Sequence, residues 1–278
     1  MRYNRSMGTL YLVATPIGNL EDMSPRAIRI LREVQLIAAE DTRHTGKLLE
    51  HFKIATRLTS YFEHNKISKL APILATLGSG DVALVSDAGT PALNDPGYEL
   101  VRAALDDGHA VSPVPGPASP IAALTASGLP ADSFLYLGYL PRKSSERKKT
   151  LQRVADLPYT LIFLETPHRL LSALSDLESV LGDRPLAVAR ELTKLHEEVW
   201  RGRVSQAREY FREPRGEFVL VVGGQAPANG MKWPEEQLII QIKKESRKGK
   251  PLKEIAAELA ETSGWKKRDI YRLAMKLE

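Results

Sequence analysis

The sequence predicts an α/β protein, two α/β domains facing one another across a cleft, followed by a small helical unit of helix-turn-helix type. Three observations carry this prediction. Short apolar runs alternate with amphipathic stretches through residues 8–116, and again in a different rhythm through 117–224. Several of the runs, such as "VALV" and "FVLVV", are apolar at successive positions and so read as strands covered on both faces. A Gly/Pro-rich stretch, "GGQAPANGMKWP" (223–234), then leads to three amphipathic segments within 231–278. At 278 residues, 43% of them hydrophobic, the chain has material for more than one core.

In the first domain, "TLYLVATP" (9–16) reads as a strand and "SPRAIRILREV" (24–34) as a helix, with Ser24 as N-cap and Pro25 at its first position. A strand "LIAAED" (36–41), a helix "TGKLLEHF" (45–52), a strand "RLTSYF" (57–62) and a helix "NKISKLAPILATLGSG" (65–80), broken near Pro72, follow. "VALV" (82–85) is the next strand. Asp95 and Pro96 read as N-cap and first-turn proline of the helix "GYELVRAALDDG" (97–108). "AVSPVPGPASPIAALTASG" (110–128) gives a strand, a turn and a small-residue helix, with the hinge at "PGPASP" (115–120).

The second domain reads as strands "SFLYLGYL", "YTLIFLE", "PLAVARE", "HEEVWRGRV" and "GEFVLVVGG", with helices at 144–155, 167–181 and 205–212. The short turn between "PLAVARE" and "HEEVWRG" predicts a hairpin and hence a mixed sheet. In the third unit, "EEQLIIQIKKESRKG", "PLKEIAAELAETSG" and "KKRDIYRLAMKLE" are helices, with Pro251 opening the second and Gly264 closing it. Trp265 and Tyr271 could stack on nucleic-acid bases, but both sit at spacings that suit this unit's core, and core is the favoured reading.

Several chemistries are disfavoured. There is no cysteine, and the six histidines form no i, i+4 pair and no HExxH, so no metal site is identified. A P-loop is absent, "TPIGNL" is not a dinucleotide GxGxxG, and no GxSxG elbow occurs. No apolar run has the length of a membrane span and "MRYNRSMGT" lacks a signal-peptide core, so a cytoplasmic setting without a membrane partner is expected. Met7 offers a second start, and residues 1–6 are left out of the fold reading.

Charge is unevenly spread. Of the net +5, residues 141–153 hold six Lys/Arg against one Glu and residues 231–278 hold twelve against eight Asp/Glu, so the remainder is acidic. Two basic zones on an acidic body suggest a nucleic-acid partner, with Arg142, Lys143, Lys148 and Lys149 in the first zone and Lys266, Lys267, Arg268 and Arg272 in the second. Either zone alone equally fits a solvated helix face. The loops after the strands, "TPIGNLED", "EDTRHTG", "SDAGTPALNDPG", "PGPASP", "ETPHR" and "RELTKLHEE", are rich in Gly, Pro, Thr and charge. On one shared edge they build a cleft site.

"LYLVATPIGNLED", "AAEDTRHT", "SDAGTPALNDPG", "VPGPASPIAAL", "FLETPHRL", "ARELTKLHEE" and "GEFVLVVGG" come in the order and spacing of the tetrapyrrole-methylase superfamily, which the chain resembles over about residues 8–224. More narrowly it resembles the bacterial branch that methylates a cytidine ribose 2'-hydroxyl in small-subunit (16S) ribosomal RNA. The resemblance implies S-adenosylmethionine bent in the cleft and a homodimer acting on ribosomal RNA in the assembled 30S particle. Carried over, the cofactor residues are Ile17, Ser86, Asp87, Ala88, Thr90, Ala118 and Ser119 from the first half, and Glu165, Leu192, Gly216 and Glu217 from the second. "TPIGN" and "SDAGTP" depart from the turns of the tetrapyrrole-modifying relatives, which argues against a porphyrin substrate.

A ribose hydroxyl is a poor nucleophile and needs a proton acceptor beside it. Glu40, Asp41, His44 and Glu165 are the candidates, with Arg43, Arg169, Arg190 and Lys194 to hold phosphates or orient the ribose. Each of these equally fits a cap or a rim ion pair. Two other functions fit the same sequence: a DNA-binding regulator whose α/β body senses a small molecule, and a methylase of a small molecule.

Overall fold

The computed structural model describes residues 7–225 and 233–277. Most of the predicted linker, residues 226–232, lies outside the described residues.

The first sheet has five parallel strands, β1 (Thr9–Val13), β2 (Leu36–Ala39), β3 (Leu58–Ser60), β4 (Val82–Val85) and β5 (Ala110–Val114), in the order β3-β2-β4-β1-β5. Helices α1 (Pro25–Glu33), α2 (Thr42–His51), α3 (Lys66–Leu77) and α4 (Tyr98–Asp106) connect them. Every residue of β2 and β4 is buried, because helices cover both faces. One core layer gathers Ile30, Ile37, Leu49 and Val85, and the other Leu10, Ile73, Leu84 and Leu100. The chain passes from β1 across β4 to β2, and from β4 back across β1 to β5. The strand order therefore reverses between β1 and β4, and a crevice opens there at their carboxyl ends.

The second sheet is mixed, in the order β6-β7-β10-β8-β9. Its strands are β6 (Phe134–Tyr139), β7 (Thr160–Glu165), β8 (Pro185–Arg190), β9 (Glu198–Arg203) and β10 (Phe218–Val222). β6 and β7 run parallel and the other neighbours antiparallel, with β8 and β9 forming the expected hairpin. Helix α5 (Ser119–Ser127) packs on one face through Ala123 and Leu124. The other face lies under α6 (Ser144–Gln152), α7 (Pro167–Leu181) and α8 (Val204–Tyr210), around Phe163, Leu174, Val188 and Leu220. The third unit packs α9 (Glu235–Ser246), α10 (Leu252–Ser263) and α11 (Lys267–Ala274) around Leu238, Ile242, Ile255, Leu259 and Ile270. Among the described residues no helix is long and apolar enough to cross a membrane, and no three His, Asp or Glu side chains group as metal ligands.

Local readings change in five places. Helix α2 starts at Thr42 rather than Thr45, because the Asp41 carboxylate caps it by accepting the Arg43 N–H. Helix α3 runs unbroken through Pro72, whose ring faces solvent while Ile73 and Leu77 anchor the helix in the core. Gly97 caps α4 in place of Asp95, and a Cβ at Gly97 would come within 2.7 Å of the Ala92 Cβ. Tyr271 lies outside the core and is 41% exposed, because the apolar stripe of α11 and the residues after it runs through 270, 273, 274 and 277. Trp265 packs against that core and donates its indole N–H to the Trp233 carbonyl.

The fifth correction concerns the first basic zone. Arg147 is 3% exposed and its guanidinium lies 2.6 Å from the Asp176 carboxylate, which also accepts from the Ser144 hydroxyl and draws Lys148 to 3.5 Å. Burial alone would raise the Asp176 pKa, but the hydrogen bonds from Ser144 and Arg147 and the nearby positive charge outweigh it and hold the carboxyl below its ordinary value. A group depressed in this way stabilises the fold above its unfolded pKa, and that stabilisation is lost as pH falls through the folded value. Asp176→Ala strands Arg147 as a buried cation and should destabilise the chain by about 3–5 kcal/mol at pH 7, with the deficit shrinking in acid. Urea unfolding at pH 7 and pH 3 checks both expectations.

Candidate functional site

Two loops meet at the crevice between β1 and β4. Thr15 and Gly89 exchange backbone hydrogen bonds of 2.9 and 3.0 Å, and the Thr15 hydroxyl donates to the Ser86 carbonyl. Gly89 takes a left-handed φ of 83°, which turns the chain sharply just after β4 and leaves backbone facing the crevice. The Thr90 hydroxyl donates to the Pro117 carbonyl at 3.1 Å, tying this loop to the entry of α5. From the second sheet, the Leu192–Lys194 segment closes on the first domain so tightly that a Cβ at Gly18 would stand 2.4 Å from the Lys194 side chain.

The resulting cleft is lined by Ile17, Glu40, Asp87, Ala88, Gly89, Thr90, Leu93, Asn94, Asp95, Ala118, Ser119 and Pro120 on one side. Tyr136, Tyr139, Leu164, Ala189, Leu192, Glu217, Phe218 and Val219 form the other. Four of these side chains are carboxylates and none is Lys or Arg. The Asp87 carboxylate accepts the Asp41 N–H at 3.0 Å, and the Asp87 N–H reaches Glu40 at 3.4 Å. Burial raises the Glu40 pKa, with repulsion from Asp95 adding to it and the Asp87 N–H partly offsetting it. Asp95 is likewise raised by burial and by Asp87, against a hydrogen bond from Ser86. Burial pushes the Tyr136 phenol up to about 12. The cleft is thus a half-buried acidic pocket with apolar and aromatic walls, suited to a small cation with a flat apolar part.

A family model for the tetrapyrrole (corrin/porphyrin) methylases matches residues 9–208. The chain belongs to that family. A relative from Synechocystis, "Ribosomal RNA small subunit methyltransferase I", is 49% identical over 98% of this chain and 99% of its own. Its namesake from Escherichia coli O157:H7 is 45% identical over 98% and 96%. Among solved structures, the uroporphyrin-III C-methyltransferase of Thermus thermophilus with S-adenosylhomocysteine shares the fold at a TM-score of 0.55 and 24% identity, over 78% of this chain and 97% of that one.

Of the methylase residues expected at the cofactor, Ile17, Asp87, Ala88, Thr90, Ala118, Ser119, Leu192 and Glu217 all line this one cleft. Ser86 lies beneath it, buried and bonded to its own loop, and Gly216 lies behind the Glu191 side chain. Glu165 is outside the lining, its side chain fully enclosed, accepting the Thr166 N–H at 2.8 Å beside the Arg169 guanidinium. Arg169 in turn donates to the Leu140 and Pro141 carbonyls, so it braces the start of the 141–153 segment. Of the catalytic candidates only Glu40 lines the cleft. His44 is exposed on the first turn of α2, and Arg43 binds Asp41 at 2.8 Å, holding that carboxyl well below the usual range.

Lys194 pairs with Glu191 and Glu217 at the rim, and Arg190 with Glu198. Lys143 stands 3.5 Å from Glu146, and Arg142 and Lys149 are exposed. The sequence reading missed Leu93, Asn94, Asp95, Tyr136 and Tyr139 as lining residues. The available signal is the stiff "ALNDPG" loop, in which Asp95 reads locally as a helix cap. Because Glu40 and Asp95 are raised in the fold, their stabilising contribution is present when protonated and is lost as pH rises through their folded values. Asp95→Asn should therefore stabilise the ligand-free chain at pH 7 by about 0.5–2 kcal/mol and change little at pH 4, as thermal unfolding at the two pH values will read.

Proposed function

We propose that the chain transfers a methyl group from S-adenosylmethionine to the 2'-hydroxyl of a cytidine ribose in small-subunit (16S) ribosomal RNA. The observation that carries the cofactor part is the cleft lining, with four carboxylates and no Lys or Arg. S-adenosylmethionine carries a sulfonium and an ammonium group, and its adenine offers a flat face, so the donor set fits it. The relatives named as small-subunit ribosomal RNA methyltransferases, matched over nearly the whole chain, support the substrate. A cytoplasmic homodimer acting on the assembled 30S particle belongs to the same reading.

The bound cofactor supplies a methyl group on a positively charged sulfur, which leaves as a neutral thioether without covalent help from the protein. The chain's own work is positioning, exclusion of water and removal of one proton. Asp87 and Asp95 attract the cationic end, while the Ile17, Ala88, Thr90 and Ala118 loops present small surfaces against which the cofactor packs closely. Leu192, Phe218, Val219 and Tyr136 give the apolar wall. Glu40 accepts the proton of the ribose hydroxyl, its basicity increased by burial and by Asp95. RNA phosphates are repelled from so acidic a cleft, so the strand is held outside it by Arg142, Lys143 and Lys149 and by Lys266, Lys267, Arg268 and Arg272.

Asp87→Ala should weaken S-adenosylmethionine binding at least tenfold by calorimetric titration, the scale of one lost charge-assisted hydrogen bond. Unchanged affinity sinks the cofactor assignment. With methyl-labelled cofactor and 30S subunits, label should appear in the RNA and map to a cytidine ribose oxygen, and Glu40→Gln should lower kcat about a hundredfold while cofactor affinity persists. Label on a base, or none in RNA, overturns the reaction.

A further inference from the structure

The third unit carries a surface that its own fold does not use. Its core is closed by Leu238, Ile242, Ile255, Leu259, Ile270 and Ala274, with Trp233 and Trp265 against them. Tyr271 is no part of that core, although it lies on α11 next to Ile270, and it remains 41% exposed. Beside it, Lys253 from the first turns of α10 and Lys267 and Arg268 from the start of α11 form the other walls of a shallow concavity. These four residues are its complete lining, three cations around one aromatic ring.

The charges there are weakly committed. Among the described residues neither Lys253 nor Lys267 forms an ion pair, and the Arg268 guanidinium reaches only its neighbour Asp269, at 3.9 Å and 80% exposed. Elsewhere in the unit carboxylates are paired, Glu245 with Lys248 and Lys250, and Glu258 with Lys250. The close carboxylate pairs of the unit thus lie away from the concavity, where only Asp269 approaches Arg268, and the Tyr271 hydroxyl has no hydrogen-bond partner among the described residues. An exposed ring framed by three cations, two of them without an ion pair, is electrostatically complementary to a polyanion that also presents flat faces.

We propose that Lys253, Lys267, Arg268 and Tyr271 form a binding site for single-stranded RNA, in which one unpaired base stacks on Tyr271 while the three cations hold the flanking phosphates. A duplex hides its base faces, so an exposed ring in the lining of the concavity adds affinity only for an unstacked strand. The site rests on the reading of the chain as a ribosomal RNA methyltransferase and extends it by naming what the third unit recognises. It lies apart from the cofactor cleft and shares no lining residue with it.

The test uses the full chain, a short fluorescein-labelled single-stranded oligoribonucleotide, and the same strand annealed to its complement, read by anisotropy across a salt series. Single-stranded RNA should bind more tightly than duplex. Tyr271→Ala should weaken single-strand binding about tenfold to a hundredfold, with Tyr271→Phe within about twofold of wild type, because stacking needs the ring and not the hydroxyl. Lys267→Ala should weaken binding and lower the salt slope by about one. Circular dichroism of each variant confirms an intact fold.

Unchanged binding by Tyr271→Ala overturns the proposal, as does a duplex bound as tightly as the single strand, in RNA or DNA form. Methyl transfer by the wild-type chain is measured in parallel. Absent transfer with Tyr271-dependent RNA binding intact strikes the catalytic reading and supports the site, whereas transfer with Tyr271-independent binding does the reverse.

Discussion

Two backbone hydrogen bonds between Thr15 and Gly89 hold the carboxyl ends of β1 and β4 together at the point where the strand order reverses. Parallel strands end in loops that would otherwise splay, because the helices that follow depart to opposite faces of the sheet. The bridge turns the crevice into a fixed floor. From it the Thr90 hydroxyl reaches the Pro117 carbonyl, so the same loop that floors the cleft also sets the entry of α5, the helix that packs under the second sheet. Backbone geometry therefore places the second wall of the cleft, and side chains only finish it.

That rigid floor lets the protein concentrate like charge. Glu40, Asp87 and Asp95 are held close enough for Asp87 and Asp95 to raise the Glu40 pKa and for Asp87 to raise that of Asp95. A loosely held loop would relax away from such repulsion. Here Asp87 is fixed by the Asp41 N–H, and Asp95 by a hydrogen bond from Ser86, itself buried beneath the loop. Like charge concentrated at the cleft contrasts with the Arg147–Asp176 pair, where opposite charges share a buried position between α6 and α7.

Much of this was legible in the sequence. Apolar runs such as "VALV" and "FVLVV" announce covered strands, and a Gly/Pro-rich loop after a strand announces a crevice. What escaped was whatever depends on the direction in which a side chain points. Asp95 before Pro96 has the local grammar of a helix cap, yet Gly97 takes that role and the carboxylate turns inward. Glu165 closes β7 much as Asp87 follows β4, but it pairs with Arg169 one helical turn later and lies enclosed in the interior. Arg147 counts as surface charge in any sum over residues 141–153, whereas its partner Asp176 lies 29 positions away and is invisible to local pattern. Tyr271 sits one position from the core stripe, a difference of 100° around the helix that composition does not register.

The same charge separation constrains how an RNA substrate would be used. An acidic cleft that favours a cationic cofactor gives no affinity to a phosphate backbone, so binding energy and chemistry must come from different surfaces. Removing a nucleotide from its stack costs about a few kcal/mol, and the cleft offers little to offset it before the ribose has entered. The exposed cations of the 142–149 segment and of the third unit, the surfaces proposed to supply compensating contacts, both lie outside the pocket lining. On the proposed reading a short nucleoside fragment reaches neither surface and should be a poor substrate even where the cleft fits it. On the proposed reading, binding remote from the reacting atoms would bring the ribose to Glu40, with the cofactor cleft and the RNA-holding surfaces each keeping its own sign of charge.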